Sequence, residues 1–229
     1  MKKKKIKYYN YNPYTKDSFS TVKKHIPKWY KDIENPVVEK NPFSPVVKSA
    51  KACMPFLDCL TTGYVYETTQ DIRITKVDGG NAFQWNLSSP DMVTIDEREF
   101  SNPVPTPPGF LNNHYVWKIP FSMQTPAGYS CLITHPLNRT DLPFMSVSGI
   151  IDSDYGIHSG GYPFFLKEDF SGIIPTGTPI LQIIPFKRDN WISEYSEDLK
   201  DIEYRNSYYS NRVILGWYKN KVWKKKSFE

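Results

Sequence analysis

Gly149-Ile150-Ile151-Asp152-Ser153-Asp154-Tyr155-Gly156 is an apolar run that breaks into Asp-x-Asp-Tyr and a glycine. Such a run reads as a short strand, and the Asp/Ser/Gly cluster after it is turn chemistry. Carboxylates at a strand end bind a cation, activate water or simply form the turn, and on chemistry alone the turn is favoured.

Similar runs lie on both sides. Upstream, residues 71–75 alternate Ile72 and Ile74 against Arg73 and Thr75, and residues 82–87 alternate likewise after Val77-Asp78-Gly79-Gly80. Strands are expected at 116–121 and 129–134, divided by Thr125-Pro126-Ala127-Gly128. Short strands separated by turn residues from 64 to 186 make the chain mainly β. A loop carrying Pro103, Pro105, Pro107, Pro108 and Gly109 divides the set.

Both flanks differ from this centre. Residues 8–50 hold Pro13, Pro27, Pro36, Pro42 and Pro45 among many aromatics. One long helix is excluded there, and an arm lying on a larger body or on a neighbouring subunit is expected. Only 20–33 suits a helix, interrupted near Pro27, with a second helix over 46–60 broken at Pro55 and ended by Gly63. Beyond 191 the chain is polar and aromatic, with short helices expected over 193–204 and 211–223. The domain reading is therefore an N-terminal arm with short helices at 1–62, a β core at 63–190, and a helical extension with a basic tail at 191–229.

The net charge of +5 over 229 residues suggests nucleic acid until it is located. Five lysines (Lys2, Lys3, Lys4, Lys5, Lys7) lie at one end and five (Lys219, Lys221, Lys224, Lys225, Lys226) near the other; without those ten charges the rest sums to −5. A basic groove made by the body is thereby disfavoured, and nucleic acid would be met only through the lysine-rich ends. Lysine far outnumbers arginine, and Asn, Ile and Tyr are frequent, as in an AT-rich genome such as a phage's. Three cysteines without CxxC spacing suggest neither a disulfide framework nor a zinc site. With no apolar run of about 20 residues for a spanning helix and no signal-peptide pattern, a cytoplasmic setting is expected, in a host or as part of a virion. The histidines lack HxH or HExxH spacing, so no resident metal is expected.

The order of the central pieces resembles the dUTPase and dCTP-deaminase superfamily, whose fold is a β-clip. Gly149, Ile151, Asp152, Asp154 and Tyr155 are similar to its third motif, and Gly177, Ile180 and Gln182 to its fourth. Thr125 to Tyr129 is similar to the lead into the second motif, and Gly63 to Ile72 to the first. Gly128 to Arg139, with Ile183 to Arg188 and Trp191, also resembles a family of proteins of unassigned activity from tailed phages and bacteria. The superfamily resemblance implies a β-clip core, Asp152 as general base and Tyr155 stacking on a nucleotide base. Members of the superfamily often trimerise, so a homo-oligomer is implied.

Departures from the motifs bear on activity. Val65 stands where the first motif has an acidic residue, and His135-Pro136-Leu137-Asn138 replaces the phosphate-binding Arg-Ser pair of the second. Nothing in the C-terminal third is similar to the glycine-rich fifth motif. The expectation is therefore a catalytically degenerate β-clip protein acting as a binding or structural component of a phage, with a nucleotide or virion proteins as partners. Its ligand residues would be Tyr155, Asp154, His135, Asn138, Arg139 and Gln182. The alternative is a nucleotide hydrolase or deaminase with phosphate contacts rebuilt from His135, Asn138 and Arg139, and Mg2+ required only in that case. For each residue a plainer role competes: a histidine before proline is more often structural, packing alone accounts for an aromatic at Tyr155, and a loop position alone accounts for His158.

Overall fold

The computed structural model of the chain describes residues 4–35, 49–77, 82–86, 93–97, 104–156, 160–196, 202–205 and 218–229. His158 and the turn at 78–80 lie outside them. The protein is mainly β, as the sequence implies, with four antiparallel sheets among the described residues.

The largest sheet explains the long apolar run at the end of the core. Its strands are β2 (Phe19–Thr21), β3 (Tyr64–Glu67), β9 (Tyr129–Thr134), β11 (Gly149–Ile151) and β14 (Pro179–Lys187), in the order β11-β9-β14-β3-β2. A central strand has neighbours on both edges and cover on both faces, so β14 is apolar without alternation. Ile180, Leu181, Gln182 and Ile183 are all fully buried. Gly63 precedes β3 with φ +86°, and a Cβ there would lie 2.3 Å from the Ile183 carbonyl oxygen. Glycine is therefore required both by the backbone angle and by the close approach to β14.

Three smaller sheets complete the core. Strands β6 (Thr94–Glu97), β7 (Tyr115–Lys118), β10 (Phe144–Ser146) and β12 (Gly161–Leu166) pair as β10-β12-β7-β6. Here Trp117 stacks on Phe164 at 4.0 Å and meets the edge of Phe144 at 5.0 Å. The Trp117 indole N–H donates to Ser146 Oγ at 3.2 Å, and Ser146 donates on to the Ile180 carbonyl at 2.7 Å. The buried polar groups thus tie this sheet to β14 rather than being left unmade. Strands β4 (Ile72–Val77), β5 (Ala82–Asn86) and β13 (Gly172–Ile174) form the third sheet, with Ile72 and Ile74 buried as their alternation implies.

The fourth sheet corrects the sequence reading. Residues 116–121 are not one strand: β7 ends at Lys118 and β8 (Phe121–Gln124) starts afresh beyond Pro120. Proline has no N–H for a ladder, and the Phe121 N–H instead closes a tight turn on the Ile119 carbonyl at 2.9 Å. The turn redirects β8 to pair with β1 (Lys7–Asn10) from the N-terminal arm. This start of the arm lies on the body, and Tyr66 donates to Asn10 at 3.3 Å.

Among the flanking helices, α1 (Lys28–Asp32) follows Pro27. The helix expected over 46–60 is shorter within the described residues: α2 (Met54–Cys59) has Pro55 in its first turn, where no backbone donor is lost, so Pro55 starts the helix and does not break it. Of the C-terminal helices, 193–196 are not helical, 202–205 form one turn, and Tyr218–Val222 form a π-turn closed from Trp223 N–H to the Tyr218 carbonyl at 2.8 Å. Trp191, Ile192 and Tyr195 are exposed; a short segment with no face to bury has little to hold it helical. No helix among the described residues is long and apolar enough to cross a membrane.

Candidate functional site

The Asp-x-Asp-Tyr turn is fixed by its middle residue. β11 pairs with β9 through Ile151 opposite Cys131 and ends there. Ser153 is fully buried; its carbonyl accepts from Thr125 at 3.1 Å, and its hydroxyl lies 2.7 Å from the Thr125 hydroxyl. With Ser153 held inward, Asp152 and Asp154 are left on the rim.

Their environments differ. Asp154 is nearly enclosed, its side chain 8% exposed, and it accepts the Gly128 N–H at 3.0 Å. Arg188, just past β14, donates to Asp154 Oδ1 at 3.2 Å and also binds Oδ2. The guanidinium, followed by the Gly128 N–H, holds the Asp154 carboxyl at about 2. Asp152 is 70% exposed, accepts from Ser130 Oγ at 2.6 Å and lies 3.3 Å from Arg188 Nη1. Tyr155 follows, 95% exposed. Two carboxylates thus share one guanidinium, and the cluster is anionic.

The remaining sequence candidates sit at the other end of β9, about 16 Å away along the strand by the rise per residue. His135 Nδ1 accepts the Ser146 N–H at 3.3 Å, and Nε2 faces the Arg139 carbonyl at 3.0 Å. This pairing makes the ring neutral with its proton on Nε2, and burial lowers its pKa. Arg139 grips Asp141, with Nε to Oδ1 at 2.8 Å and Nη2 to Oδ2 at 2.9 Å. Its Nη1 donates to the His25 carbonyl at 3.3 Å. Asn138 is exposed and turns the chain with φ +60°, a left-handed angle that Asn tolerates.

Gln182 is a clamp. Its Oε1 accepts the Leu137 N–H at 2.8 Å, while Nε2 donates to the Cys59 and Thr62 carbonyls at 3.0 and 2.7 Å. The side chain joins the turn after β9 to the end of α2.

The structure therefore brings Asp152, Asp154 and Tyr155 together and places His135, Asn138, Arg139 and Gln182 apart from them. Sequence reasoning missed Arg188 and Ser130. Their signal lay in the antiparallel register of β9 with β14, where Lys187 faces Tyr129. A magnesium ion is poorly served at the rim: Asp154 is occupied by Arg188, and Asp152 is left as a single accessible carboxylate. Among the described residues no three His, Cys, Asp or Glu side chains gather as a metal would require.

No protein-family model and no curated protein matches the sequence. In fold the chain is similar to solved dUTPases. EIAV dUTPase is 12% identical over 85% of this chain and 98% of its own, with a TM-score of 0.35. A dUTPase from phage phi11 of S. aureus is 10% identical over 86% of this chain and 99% of its own, with a TM-score of 0.37. The dUTPase of Staphylococcus bacteriophage 80alpha, solved with dUpNHpp, is 10% identical over 86% of this chain and 90% of its own, with a TM-score of 0.35.

Proposed function

We propose that the protein is a catalytically degenerate, dUTPase-like β protein that serves as a binding or structural component. The observation that carries this reading is the commitment of the two arginines nearest the candidate residues. Arg139 is held by Asp141, and Arg188 by Asp154 and Asp152. Phosphoryl chemistry needs donors aimed at the developing charge on the phosphates, and an anionic rim opposes it. His135 has both ring nitrogens engaged within the fold and Gln182 makes three internal hydrogen bonds, so neither is available to rebuild a phosphate site. The AT-biased composition favours a phage as the setting, and the exposed Trp191, Ile192 and Tyr195 suit a homo-oligomer or a virion partner.

The test is incubation with a panel of nucleoside triphosphates and Mg2+. The expected result is no product above the rate without protein. Turnover that is abolished by Asp152→Asn would overturn the reading and establish Asp152 as the general base of a hydrolase.

A further inference from the structure

The lysine-bearing N-terminal end and residues 227–229 meet on one face. Lys4 and Lys5 line a hollow of about 510 Å³ together with Lys24, Tyr8, Phe19 and Tyr64. They also line an adjoining hollow of about 260 Å³, into which Tyr129 and Phe228 are built. Lys224 and Lys225 are exposed shortly before Phe228, while Lys226 is paired with Asp58. Asp17 and Glu229 are the acidic residues of the lining.

Aromatic rings form the floor. Phe19 lies 4.6 Å from Tyr8 and 5.1 Å from Tyr64, and Phe228 meets the edge of Tyr64 at 5.7 Å. Lys4 Nζ sits 4.1 Å over the Tyr129 ring, so cation and π face are already adjacent. Tyr8 keeps 40% of its surface exposed. We propose that this groove binds single-stranded nucleic acid, with backbone phosphates on Lys4, Lys5 and Lys24 and an unstacked base against Tyr8 and Tyr64.

Two features select the single strand. A cationic track with aromatic platforms is the arrangement that holds unpaired bases. Bases stacked in a duplex cannot enter the hollow and would meet only the lysines at its rim. The larger hollow lies within the roughly 300–1,000 Å³ of small-group clefts. The proposal deepens the binding reading without using the Asp152 rim, so oligonucleotide binding and nucleotide turnover fail separately.

Fluorescence anisotropy of the full chain with a labelled oligothymidylate of about 20 nucleotides, and with a duplex of equal length, tests it. The expected result is tighter binding of the single strand, weakening with salt by a log–log slope of about 0.7 per phosphate engaged. The combined Lys4→Glu, Lys5→Glu and Lys24→Glu variant, with unchanged melting, should lose at least about ten-fold in affinity. Tyr8→Leu keeps an apolar contact on Phe19 but no π face, and should weaken the single strand about five-fold or more while sparing the duplex. No binding at low salt overturns the proposal. So does binding that ignores strandedness or is unmoved by Tyr8→Leu, which would leave the ends as a plain polycation.

Discussion

The two ends of β9 carry side chains of similar chemistry put to opposite uses. At the Thr134 end, His135, Arg139 and Gln182 are turned inward and bonded to backbone or to Asp141, and they hold a turn, a helix end and two strands together. At the Tyr129 end, Asp152 and Tyr155 are held by few contacts and face solvent. A polar residue aligned with a motif can therefore be internal glue or an accessible surface group, and its burial decides which.

The sharpest way to break this comparison is Gln182→Leu. It leaves the Leu137 N–H and the Cys59 and Thr62 carbonyls without their partner, at about 1–3 kcal/mol each where water cannot replace it. A loss of about 3 kcal/mol or more in denaturant unfolding is expected, and a neutral result would mean that this end is not glue. Next comes acid. Burial depresses the pKa of His135 below its ordinary 6.5, so the unfolded chain takes up a proton that the folded one resists. Stability is then full above 6.5 and falls as pH drops from there to the depressed value, by at most about 1.4 kcal/mol per pH unit for one proton. His135→Gln should remove that slope. The smallest effects belong to the rim, where Tyr155→Ala and Asp152→Asn should each change stability by no more than about 0.5 kcal/mol. A larger loss there would show the rim to be structural as well.

The sequence made the strands legible where one face is buried. Ile72 and Ile74 alternate because β4 has one wet side, and Asp152 follows β11 at the expected strand end. What escaped was non-local. The break at Pro120 is written in the chain, yet the pairing of β8 with β1 depends on an arm more than a hundred residues earlier. Arg188 meets Asp154 only because β14 lies beside β9, and residue type alone does not reveal that adjacency. The two hollows escaped for the same reason, since Lys5 and Phe228 become neighbours only in three dimensions.

The place of β14 also governs how the protein comes into being during synthesis. Of the strands in the described residues it is the last to leave the ribosome, yet it lies between β9 and β3. Until residue 187 has emerged, both strands keep an open edge, and Tyr66 and Ile133 lack the partners that bury them. From the end of β11 at residue 151 until residue 187 has emerged, the nascent chain carries two half-sheets with sticky borders, and the final strand closes both at once.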